Sequence, residues 1–344
     1  MGLAFSEIDD AVLATQNLLV KRGAFVNMQT DLQDHIAVRE MWKDRRKVFS
    51  GGANWELEYQ MDHNHSAKPV GLYQQDSSSM IDTLAKGEVP VRHVNAHYEY
   101  DKHLKAFQRG GTEIVNLITA KYSEMMVSLF EMLEEQLWGK PENSSDLITP
   151  WGIAYWVTRA ATEGFNGGNA PGFSDGRAGI STAVYPRYAN YTGAYTEITA
   201  TDLLRKMRNA HRRTKFRSPL SHSEPMVGKM GNGIYTNDSV VGILEELLES
   251  RNMNLGTDLA KYEGNAVFKS TPIQWAPYLD NDSTNPVYML DWKTLAVGVM
   301  AGWEGNLGAP YMVPDKHLVS RVDYDASLNM ICTDPRRQSV FYVA

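Results

Sequence analysis

From Trp55 to Met61 apolar and polar side chains alternate without a break: Trp55, Leu57, Tyr59 and Met61 fall on one face, and Glu56, Glu58 and Gln60 on the other. This is the period-two pattern of a half-buried strand. A second alternation follows in VPVRHVNAHYEYDKH (89–103), where Val94, Ala96, Tyr98 and Tyr100 alternate with His93, Asn95, His97, Glu99 and Asp101. The two read as the sides of one hairpin, entered through the paired glycines of VFSGGAN (48–54), which let the chain change direction. The polar excursion from Asp62 to Glu88 is long for a connection inside a compact domain, so it is expected to be functional or unordered.

The period then changes. In TEIVNLITAKYSEMMVSLFEMLEEQLWGKP (112–141), Ile114, Leu117, Ile118, Tyr122, Met125, Met126, Leu129, Met132, Leu133 and Leu137 recur at helical spacing. Thr112 can cap the start, and Gly139 with Pro141 ends the run. A helix over 112–138 would be about 40 Å long. Shorter helices are predicted in TATDLLRKMRNAHRRTKF and in NDSVVGILEELLESRN, the latter capped by Asn237 or Asp238. AVFKS, PVYMLDW and LAVGVM read as short strands, and the C-terminal HLVSRVDYDASLNMICTDPRRQSVFYVA as two strand-like runs on either side of TDPRR. Residues 1–47 show only broken periodicity, with Ile8, Val12, Leu13, Leu18, Leu19 and Val20, and predict an arm with some helix. With no internal repeat and no coiled coil, the class is α+β.

Composition narrows the function. At 344 residues, 43% hydrophobic and 22% charged, the chain is long enough for about two domains and folds rather than staying disordered. A net charge of −7 argues against a surface devoted to gripping phosphate. The single cysteine, Cys332, sits in the apolar NMICT and reads as a packed residue. The start, MGLAFSEIDD, lacks a basic segment and an apolar run, so an intracellular origin is expected. MGLAFS matches the loose myristoylation pattern through Gly2 and Ser6, without a second membrane signal beside it.

Candidate chemistry is sparse. Five of the nine histidines, His63, His65, His93, His97 and His103, lie in or beside the two alternating segments. His93, His97 and Glu99 share a strand face and could converge on a first-row metal; solvated or interface histidines are the alternative. The run Gly164 to Gly179 lacks the GK[ST] of a phosphate loop and reads as a glycine-rich surface loop. RKMRNAHRRTKFR, with Arg205, Lys206, Arg208, Arg212, Arg213, Lys215 and Arg217, has an apolar side in Leu203, Leu204 and Met207. It reads as an amphipathic helix with a wet basic face, or as a contact with nucleic acid or with Glu131, Glu134 and Glu135 of other subunits. No GxSxG elbow is present and nothing demands an enzyme.

The order of FSGGANWELEYQM, VPVRHVNAHYEY, the long TEIVNLITAKYSEMMVSLFEMLEEQLW and the closing NPVYMLDWKTLAVG and RVDYDASLNMICTDPRRQSVFYV resembles the major capsid proteins of tailed bacteriophages, the Hong Kong 97-type coat fold. The resemblance implies an N-terminal arm (1–47), an extended two-stranded loop (48–107), a peripheral domain with spine helix 112–138 (108–218), an axial domain (219–315) and a return to the peripheral domain (316–344). It implies a protein without enzymatic activity or cofactor that self-assembles through hexamers and pentamers into an icosahedral head. That head would enclose double-stranded DNA without sequence specificity, assemble in the host cytoplasm and end in the virion. Scaffolding, portal and decoration proteins are the further partners implied, and no membrane is involved. The Lys–Asn pair that cross-links some relatives is not identifiable, although Lys68 and Lys86 lie in the loop. An isolated hairpin with an apolar face needs a covering surface. Trp55, Leu57, Tyr59, Tyr98 and Tyr100 are therefore expected at an interface between subunits, with Arg336 and Arg337 at the final turn. Two other readings stand beside this one: a nanocompartment shell enclosing a protein cargo, and a metal-dependent enzyme using His93, His97 and Glu99.

Overall fold

The computed structural model describes residues 34–44, 46–62, 67–72, 83–103, 111–214, 232–249, 266–269 and 271–344. The MGLAFS pattern, most of the expected arm, and His63 and His65 lie outside the described residues. In chain order the elements are α1 (Ile36–Asp44), β1 (Arg46–Phe49), β2 (Asn54–Gln60), β3 (Leu84–Pro90), β4 (Arg92–Asp101), α2 (Gly111–Trp138), α3 (Ile153–Trp156), β5 (Gly164–Gly167), β6 (Asn190–Tyr195) and α4 (Leu203–Arg213). There follow β7 (Asn232–Thr236), α5 (Asp238–Glu249), β8 (Val267–Phe268), β9 (Thr271–Trp275), β10 (Val287–Asp291), β11 (Leu295–Leu307), β12 (Tyr311–Met312), β13 (Val319–Cys332) and β14 (Ser339–Val343). The α+β class and the long helix are as the periodicity predicts.

Two sheets and a ribbon organise these elements. In the first sheet β13 lies between β4 on one edge and β11 with β12 on the other, and β1 adds parallel to β11. The second sheet has seven strands in the order β5-β6-β14-β10-β7-β9-β8. The ribbon is β2 paired antiparallel with β3, Trp55 opposite Val89.

This pairing corrects the expected hairpin. VPVRHVNAHYEY breaks at Val91: its first residues belong to the strand that pairs with β2, and from Arg92 the chain joins β13, placing Tyr98 opposite Val322. One alternating run serves two sheets, because period two says which face is buried and nothing about the partner. The expected domain boundaries do not follow the sheets either. β6 and α4, expected with the long helix, belong to the seven-stranded sheet, as does β14, which pairs parallel with β6 across more than a hundred intervening residues.

The long helix α2 ties the two sheets together. Ile118, Tyr122 and Met125 pack with Tyr98, Tyr100 and Val322 of the first sheet. Leu129, Leu133, Leu137 and Trp138 enter the principal core, where the Trp138 ring meets Tyr235 and Tyr288 of the second sheet at 5.7 Å each. On the same buried stripe sits a carboxylate, Glu134, only 1% exposed. It accepts hydrogen bonds from the Ala37 N–H at 3.0 Å, the Val38 N–H at 2.9 Å and the Trp138 indole N–H at 2.7 Å. The first turn of a helix has unpaired N–H groups and a partial positive charge, and Glu134 supplies the acceptor for α1 from another element. Helix α1 is thereby fixed to α2.

Burial raises the Glu134 pKa, with the hydrogen bonds from Ala37, Val38 and Trp138 opposing it. Glu134→Ala strands three buried donors and should lower stability by about 3 kcal/mol in chemical denaturation, and Glu134→Gln, which keeps one acceptor oxygen, by less. Because the folded-state pKa lies above the unfolded one, the fold binds the extra proton. The contribution of this group is therefore full below the ordinary glutamate pKa and is lost as pH rises through the folded value. Glu134→Gln should remove that slope.

Candidate functional site

The residues expected at a subunit interface lie mostly inside the chain's own core. Trp55 is 2% exposed, its ring stacked on Phe49 with centroids 4.6 Å apart. It fills the space over Gly298 of β11, where a Cβ would overlap both the Trp55 ring and the Ile331 side chain. Tyr59 donates its hydroxyl hydrogen to the Cys332 carbonyl at 2.7 Å and meets the Tyr188 ring edge-on at 5.2 Å. Leu57, half-buried, packs on the same core. Tyr98 and Tyr100 are covered by α2, with Tyr98 perpendicular to Tyr122 at 6.5 Å. The apolar face that called for a covering surface has one within the subunit, in the long helix and β11. Arg336 and Arg337 occupy the turn between β13 and β14, where Arg336 Nε lies 3.2 Å from Asp334 and Arg337 bridges Asp334 at 3.5 Å and Asp291 at 3.4 Å. They hold the turn that passes the chain from one sheet to the other.

The metal reading is corrected by strand geometry. His93 and His97 are on one face of β4, but an extended strand spreads positions i and i+4 by about 13 Å, too far to share an ion. His93 Nδ1 lies 2.8 Å from Ser327 Oγ, and the Glu99 carboxylate is held 2.5 Å from Lys316 Nζ, which lowers its pKa. Among the described residues no group of three His, Cys, Asp or Glu side chains could hold a metal ion. Cys332 is buried, and burial pushes its thiol far up, away from nucleophilic chemistry.

The glycine-rich run is not a surface loop throughout. Arg177 at its turn is fully buried, donating to the Trp156 and Tyr188 carbonyls and to Asn190 Oδ1 at 3.0 Å, and lying over the Tyr188 ring. Gly176, at φ +93, comes so close to the Ile180 backbone that a side chain would collide. Ala178, the residue after Arg177, accepts the Glu88 N–H at 3.0 Å through its carbonyl and lies where Gly87 leaves space, so this turn is the seat of the β2–β3 ribbon. The sequence signal was present as an arginine among glycines, but only packing shows that it points inward.

Several features do face solvent. Leu147 and Ile148, 70% and 81% exposed, sit on a loop held rigid from below. Buried Arg92 donates to the Leu147 carbonyl at 2.5 Å and the Asp146 carbonyl at 3.1 Å. Asp146 accepts N–H bonds from Ile148 and Thr149, and hydrogen bonding from Thr149 above all brings its pKa down to about 2. Leu84, at the end of the ribbon, and Leu72 are also well exposed. On α4, Leu203 and Met207 are buried as expected and Arg205, Arg208, Arg212 and Arg213 are exposed; Lys215 and Arg217 lie outside the described residues. Of the acidic partners considered for them, Glu134 is excluded by its burial. An open cleft of about 1000 Å³ runs beside the end of α2, and of the two cations lining it, Lys140 and Arg159, Arg159 is committed to Asp282 at 2.6 Å, Thr284 and Tyr288.

Neither a family model nor a curated protein sequence matches this chain. Solved structures do match, over nearly its whole length. A chain of the cyanophage A-1(L) capsid asymmetric unit superposes with a TM-score of 0.59 at 13% identity, covering 94% of this chain and 98% of that one. This chain has the fold of phage capsid proteins. The capsid of the empty GTA particle matches with a TM-score of 0.56 at 11% identity, over 97% of this chain and 98% of that chain. The SrpI encapsulin complex from Synechococcus elongatus matches with a TM-score of 0.51 at 9% identity, over 94% of both chains. The fold is thus shared with an encapsulin, and these three likenesses hold at 13% identity or less.

Since Trp55 fills a core position, Trp55→Ala should destabilise the isolated subunit by about 3–5 kcal/mol, read as a shift of the denaturation midpoint. An unchanged midpoint with impaired association would instead return Trp55 to an intersubunit surface.

Proposed function

We propose that this chain is a major capsid protein of a tailed bacteriophage, assembling through hexamers and pentamers into an icosahedral head around double-stranded DNA. The observation that carries the reading is the match of nearly the entire chain, end to end, to capsid subunits. In Hong Kong 97-type terms, the first sheet and α2 form the peripheral domain with its spine. The seven-stranded sheet with α4 and α5 forms the axial domain, and the β2–β3 ribbon with the polar segment between its strands forms the extended loop. The protein acts by association rather than by chemistry. A net charge of −7 suits a container that holds DNA without gripping it. Its place is the capsid of the virion, after assembly in the host cytoplasm with scaffolding, portal and decoration proteins as further partners.

The encapsulin match supports one second reading, a nanocompartment shell around a protein cargo. The contents separate the two. Expressed alone or with the genes of its own particle, the protein should give uniform shells or capsomer-sized rings in negative-stain images, and particles from its native source should hold nuclease-protected double-stranded DNA. A stable monomer under all these conditions would remove both shell readings. Shells that copurify with one protein and no DNA would favour the nanocompartment.

A further inference from the structure

The seven-stranded sheet carries two helices on one face, α4 and α5, whose buried sides share a core with Tyr191, Ile234, Val287 and Phe341. Their outward sides have opposite charge. On α4, Leu203, Met207 and Ala210 are buried, and Arg205, Arg208 and Arg212, spaced i, i+3 and i+7, are exposed on the other side. On α5, Val240 and Leu244 are buried, and Asp238, Gly242, Glu245 and Glu246 are exposed.

Neither ridge is neutralised within the described residues. Lys206 is held by Asp202 at 2.5 Å and by the Ala194 carbonyl at 2.6 Å, and Arg213 lies in the field of Glu163. Arg205 and Arg208 have no carboxylate partner among the described residues, and Glu245 and Glu246 have no cation. The local electrostatics are unfavourable on both helices. Arginines three and four positions apart repel one another. Glutamates in the second half of α5 lie toward the negative end of its dipole, and its last turn has no basic residue. Gly242 adds a further cost, since a mid-helix glycine is about 1 kcal/mol less favourable than alanine. A Cβ there would meet nothing within 4 Å, so no contact inside the chain calls for glycine. On an outward ridge, the missing side chain allows another backbone to approach.

We propose that the α4 arginine ridge of one copy docks on the α5 acidic ridge of the next, with Gly242 at the closest approach. Charge complementarity identifies the partner as a second copy: arginine forks pair with carboxylates, and each copy carries both halves of the contact. The two ridges are different surfaces, so the contact is head-to-tail, the kind that closes into rings. The inference rests on the shell reading and adds to it the contact that orients neighbours within a ring.

The test uses the full chain under conditions where the wild type assembles, read by mass photometry and negative-stain imaging. R205E/R208E and E245R/E246R should each reduce assembled protein at least about tenfold, because like charges facing each other cost several times the free energy of a factor of ten. Combining all four substitutions in one chain should restore assembly. Mixing the two reversed chains should restore rings with an even number of subunits but not five-membered rings, since neighbours must then alternate. Gly242→Gln should raise the thermal midpoint of the subunit and still weaken assembly, which separates docking from folding if a reversal destabilises its helix. Reversed chains that assemble as well as wild type would overturn the inference and leave the shell reading intact. R205E/R208E particles of normal yield that have lost their DNA would also overturn it, assigning the ridge to nucleic acid. A wild type that never assembles would remove the shell reading and this contact together.

Discussion

Strand β13 has both of its backbone edges occupied, and the arrangement of the subunit follows from that. Its fourteen residues pair with β4 along one edge and with β12 and then β11 along the other. A buried strand must place every N–H and C=O with a partner, so the claims of β4 and β11 on this strand leave β2 to pair elsewhere. The end of β13 also collects the elements that pack across it. The Met330 carbonyl accepts the Trp156 indole N–H at 3.2 Å, and the Cys332 carbonyl accepts the Tyr59 hydroxyl at 2.7 Å. The chain then turns at the Arg336–Arg337 pair and enters the other sheet as β14.

The β2–β3 ribbon is the element with the least support of its own. Two strands alone are marginal in water, and this pair is held by what lies beneath it: the gap over Gly298 for Trp55, and the turn at Arg177 for Glu88 and Gly87. Arg177 has carbonyls, an amide oxygen and an aromatic ring as partners and, among the described residues, no carboxylate, and burial lowers its pKa. Such a site is costly to form and leaves little freedom to rearrange. Glu134 likewise holds α1, accepting the N–H groups of its first turn. Two buried polar side chains thus anchor the β2–β3 ribbon and α1 to the core.

A fold does not by itself name a function, and here the same fold serves phage capsids and an encapsulin. What distinguishes proteins of one fold lies largely on their surfaces. In this chain the surface includes an apolar pair at Leu147 and Ile148 and helices of opposite charge on one face of the seven-stranded sheet. Preorganised surfaces of this sort favour association because little freedom remains to be lost on contact.

The sequence by itself determined the local elements: the alternation at Trp55 to Met61, the stripe of α2, the amphipathic α4 and the strands about TDPRR are all properties of neighbouring residues, set by periods of 2 and 3.6. The order of those elements was enough for the capsid resemblance. Pairing was not legible, because VPVRHVNAHYEY has the same period whether it continues with β2 or crosses to β13. Nor was the cover of the aromatic face: alternation shows that Trp55 and Tyr98 are buried, and only the tertiary structure shows that β11 and α2 bury them. Glu134 and Arg177 look like surface charges in the sequence, since most of their partners are backbone groups that only the folded chain brings to them. The histidines of β4 look like a cluster in one dimension and are spread by the strand in three. Partner choice, cover and the pairing of buried charges depend on residues distant in sequence, and these are what the tertiary structure decided.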